Sequence, residues 1–162
     1  MVYLSLLNFL RLILFLGLIT IFHNSYANYA IVDFSKSSLE KRLNIYSDSG
    51  KLLFSTYTAH GSGSGGGTYP THFSNVEGSH ASSLGTYKIG EVHYGKNGKG
   101  YRMHGLDKSN SRAYERYILV HGANYIGNGR SGTSWGCFAV PYKDLNMVMI
   151  LLTKGDILVA RR

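Results

Sequence analysis

A chain of 162 residues with a single cysteine cannot form an internal disulfide, and with 44% apolar residues it is long enough for one domain around one core. Its formal net charge of +8 suits an anionic partner, either nucleic acid, a membrane surface or a carboxylate-bearing polymer. The basic residues are scattered rather than massed along one helix, and no nucleic-acid module is visible, so nucleic acid is excluded as the expected partner.

The chain begins with an apolar segment, Leu12 to Phe22, broken only by Gly17 and Thr20 and preceded by one charge, Arg11. Ser25 and Ala27 satisfy the small-X-small rule for signal peptidase, and Ala30 offers a second site. Residues 1–27 are therefore expected to be a signal peptide, with a retained membrane anchor as the alternative and the only expected membrane contact. In both cases residues 28–162 form one exported domain, expected in the periplasm or cell envelope. Export sharpens the question of the lone thiol, because structural cysteines in an oxidising compartment usually come in pairs.

From Tyr29 onward the punctuation is that of a mainly β protein. Tyr29 to Phe34, Leu43 to Tyr46 and Lys51 to Ala59 read as strands, the last two joined by the turn Ser47-Asp48-Ser49-Gly50. Gly61 to Gly67 is almost entirely glycine and serine. It lacks the Gly-Lys-Ser or Gly-Lys-Thr ending of a phosphate loop, which leaves either a lid bordering a cleft or a surface loop without a role. Thr86 to Tyr94 and Tyr101 to Leu106 form a second hairpin around the glycine-rich turn Gly95 to Gly100. Ser109 or Asn110 is placed to cap a short turn through Glu115.

Ile118 to Val120 is an apolar run that delivers His121 to the end of a buried strand, and Gly122 lets the chain leave it sharply. A loop with three glycines follows, and Cys137 stands 16 positions after His121, between Gly136 and the apolar run Phe138, Ala139, Val140. An imidazole that accepts the thiol proton turns a cysteine into a nucleophile. Small Gly136 leaves room for a substrate carbonyl and offers an N–H to an oxyanion. The plain alternative is a buried filler cysteine and a hydrogen-bonded core histidine. Leu145, Val148, Met149 and Leu152 then mark one amphipathic helix ended by Gly155, and Ile157 to Ala160 supply a last strand.

His121-Gly122 followed by Ser134-Trp135-Gly136-Cys137 resembles the catalytic signature of the L,D-transpeptidases of peptidoglycan metabolism, the YkuD-like family. The chain is most similar to the subgroup of murein L,D-transpeptidase catalytic domain-like proteins. Further landmarks are Val32-Asp33-Phe34-Ser35-Lys36, Lys41-Arg42-Leu43, Ala59-His60-Gly61, Phe73-Ser74-Asn75 and Ser82-Ser83-Leu84-Gly85, so the likeness covers about residues 30 to 160. Two positions depart from the wider family pattern: Trp135 stands where a second histidine is usual, and Ala139 where Arg or Asn is usual.

The resemblance implies a single-domain β-sandwich of the L,D-transpeptidase catalytic type with a few short helices, acting on peptidoglycan stem peptides. Cys137 would attack the carbonyl preceding a terminal D-Ala and hold the peptide as a thioester. His121 would be the base, oriented by the carbonyl of Gly122, with an oxyanion hole near Gly136 and Cys137. Ser134, Trp135, His60 and Tyr125 complete the expected substrate-binding set. No metal or organic cofactor is implied. An amine acceptor gives a crosslink, and water gives an L,D-carboxypeptidase; an amidase using the same pair, or a non-catalytic wall-binding module, are the alternatives. His104-Gly105 copies His121-Gly122, but only His121 has the family's distance to the cysteine. The other histidines, His60, His72, His80, His93 and His104, lack His-X-X-X-His spacing, and no zinc site is expected.

Overall fold

Alternation builds the first layer. A computed structural model describes residues 27–96 and 98–162, so the expected export segment lies, up to residue 26, outside the described residues. In strand β1 (Tyr29–Asp33) Ala30 and Val32 point into the core, and in β2 (Leu43–Tyr46) Leu43 and Ile45 do the same. Strand β10 (Ile157–Arg161) contributes Leu158 and Ala160 on the same rule. Ala30 is paired with Ile45 and Leu158, so cleavage after it would remove part of a central strand. The remaining strands are β3 (Leu52–Thr56), β4 (Gly85–Gly95), β5 (Gly98–Gly105), β6 (Leu119–Ala123), β7 (Ile126–Gly127), β8 (Arg130–Ser131) and β9 (Phe138–Pro141).

Eight of them form one sheet in the order β3-β2-β1-β10-β4-β5-β6-β9, and β7 pairs with β8 alone. The β1–β10 and β6–β9 pairs are parallel; the others are antiparallel. The segment after β3 then stitches the two ends of this order together. The Ala59 N–H donates to the Ala139 carbonyl at 2.9 Å, and Ser134 N–H to the His60 carbonyl at 2.8 Å. One core cluster accordingly takes side chains from both halves of the sheet, with Phe138 stacked at 6.5 Å on Phe34 and edge-on at 5.1 Å to Tyr87. The expected mainly β, sandwich-like single domain is the architecture observed.

Helix α1 (Tyr142–Leu151) follows Pro141 and closes one end of this core. Leu145 and Val148 are buried and Met149 packs beside them, as the apolar stripe predicts, each fully buried side chain contributing about 2 kcal/mol. Thr56 donates to the Asp144 carboxylate at 2.6 Å, tying β3 to the helix. Among the described residues no helix is long and apolar enough to cross a membrane.

Three expectations change. Strand β3 ends at Thr56 rather than Ala59, because the chain turns there to reach β9. The second hairpin is tighter than expected, with Gly95 and Gly98 in register. Residues 107–117 make successive turns, organised by buried Asn110, which accepts the Asp107 N–H at 2.9 Å and donates to the Thr86 carbonyl at 2.8 Å.

Candidate active site

Strands β6 and β9 are buried along their whole length, as a parallel pair covered on both faces must be. Their register sets His121 opposite Ala139, so Cys137 precedes the partner of His121 by one side-chain repeat, about 7 Å along the strand. Both residues line one cleft of about 650 Å³, together with Tyr125, Trp135, Arg116 and Lys96.

Each reactive side chain is held by its own local geometry. His121 is 4% exposed, and its Nδ1 donates to the Gly122 carbonyl at 2.9 Å. Burial lowers its pKa below the usual histidine value, so at neutral pH the ring is neutral with an unprotonated Nε2. Gly122 is required by packing: a Cβ there would run into the Tyr142 ring and lie 3.2 Å from Leu145 Cδ2.

The turn before Cys137 is bracketed by one hydroxyl. Ser134 Oγ donates to the Cys137 carbonyl at 2.7 Å and accepts the Gly136 N–H at 3.1 Å. Gly136 has φ +108°, and a Cβ on it would lie 2.8 Å from the Ala81 carbonyl oxygen, so only glycine fits. The Cys137 thiol donates to the Tyr117 carbonyl at 3.7 Å. Burial pushes the thiol pKa up, opposed by the Leu119 N–H and by the charges of Arg116 and Arg102. Tyr125 is pushed up to about 12, first by burial and then by the nearby Cys137 and Tyr142, and stays a neutral phenol.

Trp135 stands at the mouth, 68% exposed. One neighbour is His80, stacked at 4.5 Å, and another is the Lys96 ammonium, 5.8 Å from the ring centroid. Of the expected set, Cys137, His121, Tyr125, Ser134 and Trp135 converge on the cleft. Ser134 spends its hydroxyl on the turn, and Gly136 spends its N–H on Ser134.

His60 is a correction. It is fully buried away from the cleft, with Nδ1 3.0 Å from Arg42 Nη2 and Nε2 3.1 Å from the Gly65 carbonyl. Both ring nitrogens are committed, so it organises the interior and does not face substrate. The glycine-rich stretch corrects the lid alternative for the same reason. Ser64 is buried and accepts the Ser82 N–H at 2.9 Å, while Ser62 N–H donates to the Ser134 carbonyl at 2.8 Å. The hairpin tip between β4 and β5 borders the cleft instead.

His104 pairs with Glu91 at 3.5 Å, stacks on Tyr114 and is absent from the cleft lining, so it is not positioned to serve Cys137. No group of three or more His, Cys, Asp or Glu side chains converges among the described residues. Arg102, Arg116 and Tyr117 were not legible as site residues. The last two directly precede the apolar run at Ile118, and this adjacency is the signal that could have found them.

Residues 18–160 match the model of the L,D-transpeptidase catalytic domain family. No curated protein sequence matches the chain significantly. Solved structures with a similar fold include an L,D-transpeptidase from Mycobacterium smegmatis, with a TM-score of 0.54 at 10% identity, over 85% of this chain and 59% of that one. L,D-transpeptidase 3 from Mycobacterium tuberculosis gives 0.55 at 11% identity, over 85% and 62%. The helical cell shape determining protein from Campylobacter jejuni gives 0.57 at 15% identity, over 87% and 49%. The chain thus spans about three fifths or less of the length of these structures, and at such identities the likeness is one of fold. With the family model covering nearly the whole length and His121 and Cys137 on one cleft, the chain belongs to the L,D-transpeptidase catalytic domain family.

Proposed function

We propose that the protein is a cysteine acyl transferase acting on peptidoglycan stem peptides, an exported L,D-transpeptidase that forms crosslinks through a Cys137 thioester. The observation that carries this reading is a neutral, buried His121 whose Nδ1 is tied to Gly122, sharing a cleft with the only thiol in the chain. Among the described residues no acidic side chain lines that cleft, while Lys96 and Arg116 do, which suits a carboxylate-bearing peptide.

In this mechanism the thiol leaves the Tyr117 carbonyl and passes its proton to His121 Nε2 as Sγ attacks the donor carbonyl. The tetrahedral oxyanion is received by backbone N–H groups at the turn, chiefly that of Cys137, since the Gly136 N–H already donates to Ser134. Collapse breaks the C–N bond, and the imidazolium protonates the departing D-Ala amine, leaving a thioester. An acceptor amine then attacks this thioester, His121 takes its proton, and Sγ leaves to be reprotonated. No step calls on a cofactor.

The test is mass spectrometry of the protein incubated with a disaccharide tetrapeptide, with Cys137→Ala as control. A Cys137-dependent crosslinked dimer supports the transpeptidase. Tripeptide alone would make it an L,D-carboxypeptidase, and the absence of both product and thioester would point to a wall-binding module or another amide substrate. Removal of residues 1–27 in the periplasm or cell envelope is part of the same proposal and is checked by the mass of the mature N-terminus.

A further inference from the structure

Two arginines reach the surroundings of Cys137 without a carboxylate partner. Arg102, on β5, is only 8% exposed. Its guanidinium carbon lies 4.0 Å from the ring centroid of Tyr114 and 3.9 Å from that of Tyr117. Its Nη2 donates to the Tyr114 carbonyl at 2.6 Å, and its buried Nε has no partner. Arg116 lines the cleft beside Cys137 and hydrogen-bonds only to neutral groups, the carbonyls of Ser74 and Ala81 and the hydroxyls of Ser79 and Ser83. The ion pairs among the described residues lie elsewhere, at Arg112 with Glu77 and Glu115 and at His104 with Glu91.

Burying a cation without an anion is unfavourable, and proteins usually compensate it with a carboxylate. Here two are carried into one region that contains one group able to become an anion at accessible pH, the Cys137 thiol. Arg102 is also tied to that thiol through Tyr117. Tyr117 adopts φ +61°, a left-handed conformation that an aromatic residue rarely takes, and its carbonyl is the one that accepts the thiol. The stack of Arg102 on its ring and the contact of its hydroxyl with His93 at 3.1 Å hold that residue in place.

We propose that Arg102 and Arg116 form a cationic cradle that stabilises the Cys137 thiolate, acting as positioning and electrostatic residues beside the His121 base. The titratable and charged groups that share this space are His121 from β6, Tyr125 from the loop after it, Tyr117 from the preceding turn, and His93, Tyr94 and Lys96 from the hairpin tip. None of these is a carboxylate; Glu91 of β4, which accepts the Tyr114 hydroxyl at 3.1 Å on the far side of the Arg102 stack, is not part of the cleft lining, so the field at the sulfur is set chiefly by the cations. Their effect on the thiol runs in the direction that favours its anion, against the burial that opposes it. The cradle offsets part of the desolvation that otherwise holds the thiol above its ordinary range.

The inference concerns the nucleophile alone, and its test requires no peptidoglycan, so it can fail independently of the proposed substrate. The rate of Cys137 alkylation by iodoacetamide is followed against pH in the full chain, with folding of each variant checked by circular dichroism. Arg102→Met and Arg116→Met are each expected to move the midpoint up by about one pH unit. Arg102→Lys and Arg116→Lys should leave the midpoint close to wild type, because they keep the charge. Unshifted midpoints in the folded methionine variants would overturn the proposal, as would lysine variants that shift as far as the methionine ones, since packing alone would then be responsible. If Arg102→Met does not fold, Arg116→Met, at a half-buried position, decides the matter by the same reading.

Discussion

His121 donates its Nδ1 hydrogen to the carbonyl of the residue that follows it, Gly122, at 2.9 Å. The imidazole is thereby locked in the tautomer that leaves Nε2 free to take a proton, and its orientation is set by backbone. Burial holds its pKa below the ordinary histidine value of about 6.5, so the base is already in its active form at neutral pH. Thioester formation in single-turnover experiments should therefore show a His121-dependent fall only below about pH 6.5. His121→Ala should slow acylation by about 10² to 10⁴. His104→Ala should leave it within about twofold, since that ring is paired with Glu91 outside the cleft. A dead His104 variant with an active His121 variant would reverse the assignment of the base.

Gly136 sits in a conformation and a space that exclude a side chain. With φ +108° and a virtual Cβ 2.8 Å from the Ala81 carbonyl and 3.0 Å from Ile118 Cδ1, Gly136→Ala must displace the turn that carries Cys137. The expected loss of stability is about 1–3 kcal/mol, read as a lowered midpoint in denaturant. Acylation should fall further than stability does, because the nucleophile itself moves. A variant with wild-type acylation would mean that the turn tolerates the shift.

Much of this was legible because the physics is local. Alternation in Tyr29–Asp33 and Leu43–Tyr46, and the stripe Leu145, Val148, Met149, Leu152, needed no knowledge of what they pack against. The spacing from His121 to Cys137 was readable as a pair meeting across a loop with three glycines, but the parallel register was not, and it keeps His121 in the middle of β6 with Gly122 still paired to Val140 rather than leaving the strand. His60 was misread because burial is a property of the assembled core. Nothing in Ala59-His60-Gly61 says that Arg42, 18 residues earlier, will donate to its ring. Arg102 was missed for a related reason, since its importance comes from stacking on Tyr117, which a strand reading of Tyr101 to Leu106 does not bring near. The glycine-rich stretch read by composition as a lid or a surface loop without a role, yet long-range partners at Ser82 and Ser134 pin its first half.

Ser134 should matter more to turn geometry than to substrate contact. Its hydroxyl closes a bridge between the Gly136 N–H and the Cys137 carbonyl, and Ser134→Ala leaves both without that partner. The expected cost is about 1–3 kcal/mol in stability. In steady-state kinetics kcat should fall while KM changes little, because the hydroxyl orients the nucleophile and does not bind the ground-state peptide. A rise in KM alone would return Ser134 to the substrate-binding role expected from its position in the motif.

His60 predicts a specific loss of stability in acid. It is fully buried, takes a hydrogen bond from Arg42 Nη2 on Nδ1 and gives one from Nε2 to the Gly65 carbonyl, an arrangement that only a neutral ring can make. Burial is the main reason its pKa lies below the ordinary value, and His121 shares that direction. The unfolded chain protonates these rings near pH 6.5 while the folded chain still resists, so in that window the unfolded state binds more protons and stability rises with pH. Thermal midpoints should accordingly fall as pH drops below about 6.5. Asp33, held below its ordinary range chiefly by the Ser35 hydroxyl, adds a further loss only below about pH 4. His60→Gln supplies an acceptor and a donor without a titrating ring, and should flatten the first of these losses. His60→Ala should destabilise at every pH, because it leaves the buried Arg42 guanidinium, already depressed by burial to about 10, short of a partner. If the glutamine variant keeps the wild-type slope between pH 7 and 5, the acid sensitivity belongs to His121 or to another group, and the His60–Arg42 pair is only a packing contact.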